Sequence, residues 1–181
     1  MYGMEPVYQP SEDSYLLSKC VERLVKGIVL GMGTGSGIQA VTASMKPDVS
    51  HVLAVDINPQ AIEAVKLRAR DMGVIDKMEF VVSDLFDNVD GVFDWIVFNP
   101  PYLPSEGGLQ DRTWDGGQGG ADVIGRFLDD AMTHLRPGGS ILLIVSSETG
   151  IVLEKYGYKR VVEEEAPLFF ETLYCLKLSP S

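Results

Sequence analysis

Short apolar runs alternate with amphipathic stretches along most of this chain. Seven of the runs are rich in aliphatic or aromatic residues and are bounded by glycine, proline or acidic residues, a pattern typical of buried strands. The predicted strands are Gly27–Met32, His51–Asp56, Lys77–Val82, Phe93–Phe98, Ser140–Val145, Tyr158–Glu163 and Phe169–Leu178. Apolar residues at helical spacing between the strands predict helices. These run from the Ser11 cap to near Gly27, from the turn at Gly33 to Met45, from the Asn58 cap to Met72, from Ala121 to Leu135 and around Thr149–Tyr156.

This alternation of strands and helices predicts an α/β fold, in which a parallel sheet has helices on both faces. Only Glu164–Leu168 separate the last two strands, too few residues for a crossover helix, so these strands should form an antiparallel hairpin. A chain of 181 residues has the length of one ordinary domain of roughly 100–200 residues. We therefore predict a single domain over residues 1–181, with a seven-stranded, mostly parallel sheet and an antiparallel C-terminal hairpin.

The chain is strongly acidic. It has 15 lysines and arginines against 26 aspartates and glutamates, which gives a net charge of −11 and an isoelectric point of about 4.5. A surface of this sign repels phosphate backbones and anionic membranes. The charge therefore favours a protein or neutral partner and disfavours direct nucleic-acid binding.

Cysteine usage and hydropathy indicate a cytoplasmic protein. Cys20 and Cys175 each lie in an apolar run, which suits buried thiols in a reducing compartment better than a disulfide or a metal site. The first residues lack the pattern of a secretory leader, and no segment approaches the ~18 apolar residues of a membrane span. His51 and His134 have no partners at metal-ligand spacing, so no metal site is predicted.

A glycine-rich turn follows the first predicted strand and begins a helix. Gly31, Gly33 and Gly35 belong to this turn, at the edge of the sheet where backbone amides can bind a ligand. A glycine turn by itself also fits close packing without any ligand. Asp56 ends the second strand about twenty residues later, where a carboxylate can accept both hydroxyls of a ribose. Asp84 follows the third strand and adds an acceptor at the same edge, so the pattern favours a nucleoside site.

The fourth predicted strand is followed by Asn99-Pro100-Pro101-Tyr102. The prolines stiffen the chain, and the Asn99 side-chain oxygen and the Pro100 carbonyl are two acceptors for the hydrogens of a planar NH₂ group. Tyr102 offers a face for stacking, and holding the nitrogen against an electrophilic methyl group would orient a displacement. A simple strand terminator is the alternative. Because a nucleoside site is predicted beside it, we interpret Asn99, Pro100 and Tyr102 as catalytic, with Pro101 beside them in the substrate site.

These motifs resemble those of class I S-adenosylmethionine-dependent methyltransferases with an Asn-Pro-Pro-Tyr signature, and among them the HemK-like glutamine methyltransferases. The resemblance extends from Tyr8 to Leu178. The opening VYQPSEDSYLL, the segment Trp114-Asp115-Gly116-Gly117 and the closing FFETLYCLKL are similar to the archaeal and eukaryotic branch, which modifies the glutamine of the Gly-Gly-Gln motif in class 1 translation release factors. The resemblance implies a Rossmann-like fold, S-adenosyl-L-methionine as cofactor and S-adenosyl-L-homocysteine as product.

The resemblance also implies a set of positions that contact the cofactor. They are Ser14, Gly33, Asp56, Asp84, Leu85 and Asn99, and we predict Tyr8, Gly31, Gly35 and Ile57 beside them. One position departs from the family, which usually has Glu or Asp two residues before the glycine that matches Gly33. Gly31 stands there, so the usual acidic contact near the methionine moiety is missing.

The resemblance has a further implication for partners. The bacterial release-factor enzymes have an N-terminal helical domain for recognising their substrate, and this sequence shows none. The archaeal and eukaryotic enzymes similarly lack it and work with a small zinc-binding activator protein, so a heterodimer with such a partner is expected. The predicted strand Lys77–Val82 is either its docking edge or an ordinary half-buried edge strand. Gly116-Gly117-Gln118 spells the substrate motif, and we interpret it as a chance product of a glycine-rich loop.

The hypothesis from the sequence is S-adenosylmethionine-dependent N5-methylation of a protein glutamine, with a release factor as substrate. The same residues suit an exocyclic amine of adenine or guanine in RNA or DNA, and the charge of −11 is the feature against that alternative. A non-catalytic nucleoside-binding or scaffold subunit is the alternative from another class, suggested by Gly31.

Overall fold

The computed structural model describes residues 9–101 and 121–181. Seven strands and four α-helices lie within these ranges. The strands are β1 (Gly27–Met32), β2 (Val49–Asp56), β3 (Met78–Val82), β4 (Phe93–Phe98), β5 (Leu135–Ser146), β6 (Tyr158–Pro167) and β7 (Thr172–Pro180). The helices are α1 (Glu12–Leu24), α2 (Ile38–Ser44), α3 (Pro59–Asp71) and α4 (Ala121–Ala131), and 3₁₀ turns occupy Ile75–Lys77, Met132–His134 and Leu153–Tyr156. In these two ranges no helix is long and apolar enough to cross a membrane.

All seven strands form one sheet in the order β3-β2-β1-β4-β5-β7-β6. Strands β1 to β5 pair in parallel, and β7 is antiparallel to both of its neighbours, β5 and β6. The strand order reverses between β1 and β4, where a doubly wound sheet leaves a crevice for a ligand. The predicted α/β fold, with its mostly parallel sheet and antiparallel C-terminal hairpin, is therefore confirmed.

Helices cover both faces of the sheet, because alternate strand residues point to opposite faces. One buried cluster joins Leu17 and Val21 of α1 and Val65 of α3 to the inner strands. A second cluster joins Ile124 and Phe127 of α4 to the opposite face of the strands. All five side chains are fully buried, so the strands are held on both sides and the loops at their carboxyl ends start from fixed positions.

Several predicted boundaries of the elements that precede β5 were wrong by a few residues. Strand β2 begins at Val49 rather than His51, and Lys77 belongs to a 3₁₀ turn rather than to β3. The helix predicted to reach Leu135 ends at Ala131, and a 3₁₀ turn follows it. An apolar pattern at helical spacing cannot distinguish these two kinds of turn, since the pattern records burial rather than hydrogen bonding. The predicted cap of α3 is confirmed, because the Asn58 side chain accepts the Gln60 N–H at 2.9 Å.

The C-terminal elements also differ from the prediction. Residues 136–139 lie between the predicted helix and the predicted strand Ser140–Val145, but in the structure they belong to β5. This strand pairs with β4 through Leu135 and again from Ser140, with a register shift between the two. Only the 3₁₀ turn Leu153–Tyr156 forms where a longer helical stretch was predicted. The hairpin pairs as far as Pro167 and Thr172, so the turn contains Phe169 and Phe170, which had been placed in the last strand. Strand β6 is longer than predicted because its last residues before Pro167 are mostly acidic, and a half-exposed strand needs no apolar run.

We predict that Gly37→Ala destabilises the protein strongly. Gly37 precedes α2 in a left-handed conformation with φ of 77°, and a Cβ there would overlap the buried side chain of Val65. The substitution adds left-handed strain to overpacking, so we expect the free energy of unfolding to fall by about 2–5 kcal/mol. Urea unfolding measures the change.

Gly73 provides the matched control for this substitution. It follows α3 with φ of 68°, and a Cβ at this position would have no neighbour within 4 Å. Gly73→Ala should therefore cost only the left-handed strain, about 1–2 kcal/mol. Equal losses for the two variants would contradict the packing role of Gly37.

Candidate active site

Four neighbouring strands end at one edge of the sheet and place predicted site residues in a row. Asp84 follows β3, and Asp56 ends β2. The glycine turn that contains Gly33 follows β1, and Asn99 follows β4. Neighbouring strands lie about 4.8 Å apart, so the row fits a ligand of nucleoside size. The structure therefore brings these residues together at the crevice where the strand order reverses.

Left-handed glycines form the turn after β1. Gly33 and Gly35 have φ values of 57° and 51°, and a Cβ on Gly33 would come within 3.1 Å of the Phe98 ring. The Thr34 N–H donates to the Val55 carbonyl at 2.9 Å, which ties the turn to the end of β2. Glycine is therefore required here by conformation and by close approach.

Asp56 is buried at the end of β2, with 8% of its surface exposed. One carboxylate oxygen accepts the Gly35 N–H at 2.8 Å, and the other accepts the Asn58 N–H at 2.9 Å. Burial raises the pKa of Asp56 above its ordinary value of 3.8, and the backbone donors oppose this effect. Each oxygen keeps a further lone pair, so the ionised side chain can also accept hydroxyl protons from a ligand.

Two more buried polar atoms lie in this region. Thr34 Oγ1 and Asn58 Nδ2 have no hydrogen-bond partner among the described residues. Thr34 is in the glycine turn, and Asn58 is two residues beyond Asp56. Buried polar groups in native proteins are nearly always paired, so these two atoms are candidates for contacts with a bound ligand.

Asp84 is partnered by a residue that the sequence analysis missed. Its Oδ2 accepts from Nη2 of Arg126 on α4 at 3.0 Å, and both side chains are about half exposed. The next residue, Leu85, has a φ of 47° and is the one non-glycine residue with left-handed φ in the described part of the chain. Ile57, after Asp56, is 39% exposed at the same edge. Strained backbone beside a polar acceptor is typical of functional sites.

Asn99 has one satisfied and one unsatisfied side-chain atom. Its Nδ2 donates to Oδ2 of Asp13 at 3.0 Å. Its Oδ1 is buried and has no hydrogen-bond partner among residues 9–101 and 121–181. Leaving a buried acceptor unpaired costs about 1–3 kcal/mol, so an unpaired buried oxygen is unusual in a native protein.

Asp13 connects this asparagine to the start of α1. It is 3% exposed, and its Oδ1 accepts the Ser14 N–H at 2.6 Å and the Ser11 hydroxyl at 2.8 Å. Ser11 stands at the predicted cap position, but its side chain bonds to Asp13 instead of capping a backbone N–H. Ser14 is 2% exposed, so α1 places a predicted cofactor contact next to the partner of Asn99. Sequence reasoning missed Asp13, because an acidic residue in a first helical turn is ordinary.

Gly31 is buried in β1, but packing does not require glycine there. A Cβ would lie 3.5 Å from that of Ala40 and 3.8 Å from the Leu53 carbonyl oxygen, both ordinary contacts. Nothing in the structure explains why glycine replaces the acidic residue that is usual in the resembling family.

An apolar surface stands at the same edge, in the turn between β6 and β7. Phe169 and Phe170 are 92% and 88% exposed and pack edge to face with their ring centres 4.7 Å apart. The Ser147 N–H donates to the Thr172 carbonyl at 2.9 Å, which fixes this turn beside the carboxyl end of β5. Large exposed apolar groups are typical of contact surfaces, so Phe169 and Phe170 are candidates for contact with a partner.

Some predicted residues lie outside the described ranges. They are Tyr8, Tyr102, the segment Trp114-Asp115-Gly116-Gly117 and Gln118. Their roles stay predictions. Pro100 is buried and Pro101 is partly buried directly after Asn99.

Comparison with known proteins assigns the chain to a family. The family described as Methyltransferase small domain matches residues 10–166, which include the glycine turn, both aspartates of the row and Asn99. The chain belongs to this methyltransferase family. Membership confirms the resemblance seen in the motifs and confirms that the protein is a methyltransferase.

The methyltransferase is also similar to individual curated proteins. A Methanocaldococcus jannaschii protein with the name "Putative protein N5-glutamine methyltransferase" is 37% identical over 92% of this chain and 88% of its own length. Methyltransferase HEMK2 of Mus musculus is 34% identical over 78% of this chain and 72% of its own length. A release factor glutamine methyltransferase of Cereibacter sphaeroides is 33% identical over 67% of this chain, and the match spans 48% of that protein.

Solved structures of methyltransferases share the fold. The ribosomal protein L11 methylase of Lactobacillus delbrueckii subsp. bulgaricus superposes with a TM-score of 0.72 over 97% of this chain and 82% of that chain, at 22% identity. A methyltransferase of Pyrococcus furiosus superposes with a TM-score of 0.70 over 100% of this chain and 91% of that chain, at 20% identity. These matches confirm the Rossmann-like arrangement.

Proposed function

We propose that this methyltransferase transfers a methyl group from S-adenosyl-L-methionine to the side-chain nitrogen of a protein glutamine, in the Gly-Gly-Gln motif of a class 1 release factor. The central observation is the buried Oδ1 of Asn99 at the carboxyl edge of the sheet, which has no hydrogen-bond partner among the described residues. The relatives from Methanocaldococcus jannaschii and Cereibacter sphaeroides both have names that contain the words glutamine methyltransferase, which supports the same acceptor.

The residues of the crevice fit S-adenosylmethionine. Asp56 would accept the ribose hydroxyls, and Asp84 stands where a nucleoside's base would end along the row. The turn at Gly33 has a left-handed backbone, and no Cβ stands between it and a ligand. Thr34 Oγ1 and Asn58 Nδ2 are buried groups that lack partners in the described part of the chain. When bound, the cofactor supplies an electrophilic methyl group to the crevice.

The chain's own residues would prepare the acceptor nitrogen. Asn99 Oδ1 would accept one hydrogen of the substrate's NH₂ group, and the Pro100 carbonyl would accept the other. An amide nitrogen becomes nucleophilic only as its lone pair leaves resonance with the carbonyl, and acceptors on both hydrogens in a buried site favour that change. The nitrogen would form its new bond to the methyl carbon as the bond between that carbon and the cofactor's sulfur breaks, which leaves S-adenosyl-L-homocysteine. The nitrogen would then lose one proton to water. No strong general base is required, and Tyr102 is proposed to stack on the planar amide.

A protein acceptor fits the surface better than a nucleic acid does. An exocyclic amine of a base presents the same NH₂ group to Asn99, so the catalytic residues do not discriminate between the two. The net charge of −11 repels a phosphate backbone. Phe169 and Phe170 offer an apolar contact at the same edge, which suits a protein segment around the target glutamine.

The small zinc-binding activator is proposed to dock on β3. This strand is at one end of the sheet, so one side of its backbone has no strand neighbour among the described residues. Val82 at its end is 43% exposed. An edge strand of this kind can pair with a strand of another chain, and a partner there would leave the row of site residues open.

The test is a transfer assay with labelled S-adenosylmethionine. The protein is incubated with a release factor, with its Gln→Ala variant in the Gly-Gly-Gln motif, or with RNA or DNA, each with and without the activator. We expect label on the release factor, none on the Gln→Ala variant, and more label when the activator is present. Val82→Asp should remove the activator's effect, since it places a charge on the proposed docking edge.

Three results would each contradict part of the proposal. Label that persists on the Gln→Ala release factor would exclude glutamine as the acceptor. Label on nucleic acid alone would favour the exocyclic amine. Cofactor binding without transfer to any acceptor would favour a scaffold subunit.

A further inference from the structure

We propose that Asp13 is a positioning residue, which fixes the orientation of the Asn99 side-chain amide so that its oxygen, and not its nitrogen, faces the acceptor. This inference rests on the proposed amide methylation. Neither the family match nor the motif after β4 assigns any role to Asp13. The two residues are 86 positions apart in the chain and meet only because α1 packs against the sheet.

The chemistry of the contact fixes the orientation. An ionised carboxylate can only accept hydrogen bonds, whereas the Asn99 amide has a donor end and an acceptor end. Asp13 Oδ2 lies 3.0 Å from Asn99 Nδ2, so the donor end turns towards α1. Oδ1 then points away from Asp13, and it is the atom left buried without a partner in the described ranges.

Asp13 is itself held in place on its other oxygen. Oδ1 accepts the Ser14 N–H at 2.6 Å, the Ser14 hydroxyl at 3.2 Å and the Ser11 hydroxyl at 2.8 Å. The carboxylate is 3% exposed, so water does not compete freely for these bonds. Oδ1 thus bonds to Ser11 and Ser14 at the start of α1, whereas Oδ2 accepts from Asn99.

A reversed amide would oppose catalysis. With Nδ2 in the crevice, the NH₂ group of Asn99 would face the NH₂ group of the substrate, and two donors would meet where an acceptor is required. Misplacing one hydrogen-bonding group that supports a transition state costs about 10²–10³-fold in rate. Asp13 should therefore affect turnover far more than cofactor binding.

Asp13→Asn tests this idea with almost no change in shape. The amide oxygen introduced at position 13 can keep the bonds to Ser11 and Ser14, while the introduced NH₂ group replaces the oxygen that faced Asn99. Asn99 must then reverse to pair with it. We expect kcat to fall by about 100-fold, with cofactor affinity and melting temperature close to those of the unaltered protein.

The double variant Asp13→Asn with Asn99→Asp should again place an acceptor oxygen in front of the substrate. In this double variant the new NH₂ group at position 13 donates to one oxygen at position 99, and the other oxygen faces the substrate as an acceptor. We expect kcat to recover by at least about tenfold over the Asp13→Asn variant. A structural role for Asp13 alone would not predict recovery from a second substitution.

Glu12→Gln is the matched control. Glu12 is the neighbouring residue in the first turn of α1 and is exposed, so the change removes the same charge from the same helix end. We expect full activity. If Glu12→Gln lost as much activity as Asp13→Asn, the positioning role would be overturned. The loss would then follow from removing a negative charge at the start of α1.

A second measurement does not depend on catalysis. Hydrogen exchange of the Asn99 side-chain NH₂ group, followed by NMR, should be slow in the unaltered protein and faster in Asp13→Asn, where the group faces the crevice. Unchanged exchange together with unchanged kcat would overturn the inference. If the unaltered protein transfers no label to the release factor, the proposed function fails, and the exchange measurement still decides the orientation of Asn99.

Discussion

Asn99→Ala should reduce methyl transfer to a release factor by about 10²–10³-fold in kcat/KM, equivalent to roughly 2.7–4 kcal/mol of transition-state stabilisation. The variant removes the buried Oδ1, which has no partner among the described residues and is the proposed acceptor for the substrate amide. The Pro100 carbonyl would remain, so one of the two proposed acceptors would still act. The measurement is steady-state transfer of labelled methyl groups at saturating cofactor.

Asn88→Ala is the control for this substitution. Asn88 lies outside the row of site residues, is exposed, and donates from Nδ2 to the Val82 carbonyl at 3.1 Å. Its loss should leave kcat/KM within about twofold of the unaltered value, as for most surface substitutions. Asn99→Ala also removes the hydrogen bond from Asn99 Nδ2 to Asp13 Oδ2, so melting temperatures are compared at the same time. A folded Asn99→Ala protein with full activity would contradict the proposed role of Asn99.

Asp56→Ala should weaken binding of S-adenosylmethionine by about 100-fold or more, because each hydrogen bond to a charged acceptor contributes about 1.5–3 kcal/mol and two ribose hydroxyls are proposed to bind there. The variant also leaves the N–H groups of Gly35 and Asn58 without the acceptor that now bonds both. Calorimetric titration well below the melting temperature separates lost affinity from lost stability.

The pH dependence of binding offers a second test of Asp56. Burial raises the pKa of this carboxyl above 3.8, and only the ionised form can accept from both hydroxyls without donating. Cofactor affinity should therefore decline on acidification at a higher pH than an exposed aspartate would require. Asp48→Ala is the control, because Asp48 is exposed just before β2, at the opposite edge of the sheet. If Asp48→Ala weakened cofactor binding as much as Asp56→Ala, the effect would come from the loss of a negative charge in general and not from the position of Asp56.

The hydrophobic pattern predicted most of the fold because burial repeats along the chain with the period of each element. Apolar runs located all seven strands, and the short spacing after Glu163 predicted the antiparallel hairpin. Boundaries were less accurate where polar residues are paired in strands, as before Pro167, or where 3₁₀ turns continue a helical pattern, as after Ala131. In those segments hydrogen bonding decides the structure, and hydrophobicity does not record it.

Residues at strand ends were predictable for a different reason. The carboxyl ends of parallel strands meet at one edge of a sheet, so the sequence alone predicts that Asp56, Asp84 and Asn99 lie close together. The partners of these side chains could not be assigned in this way. Arg126 is 42 positions from Asp84, and nothing local in the sequence marks the pair.

The sequence by itself determined the order of elements, the row of polar residues at the carboxyl edge and the family to which they point, because each of these depends on local pattern and spacing. Only the tertiary structure decided that Asp13 meets Asn99 and that Arg126 meets Asp84. It also decided that the oxygen of the Asn99 amide, and not its nitrogen, lacks a partner within residues 9–101 and 121–181. A hydrogen bond between distant residues depends on how helices pack on the sheet, and the orientation of an amide depends on which partner that packing supplies.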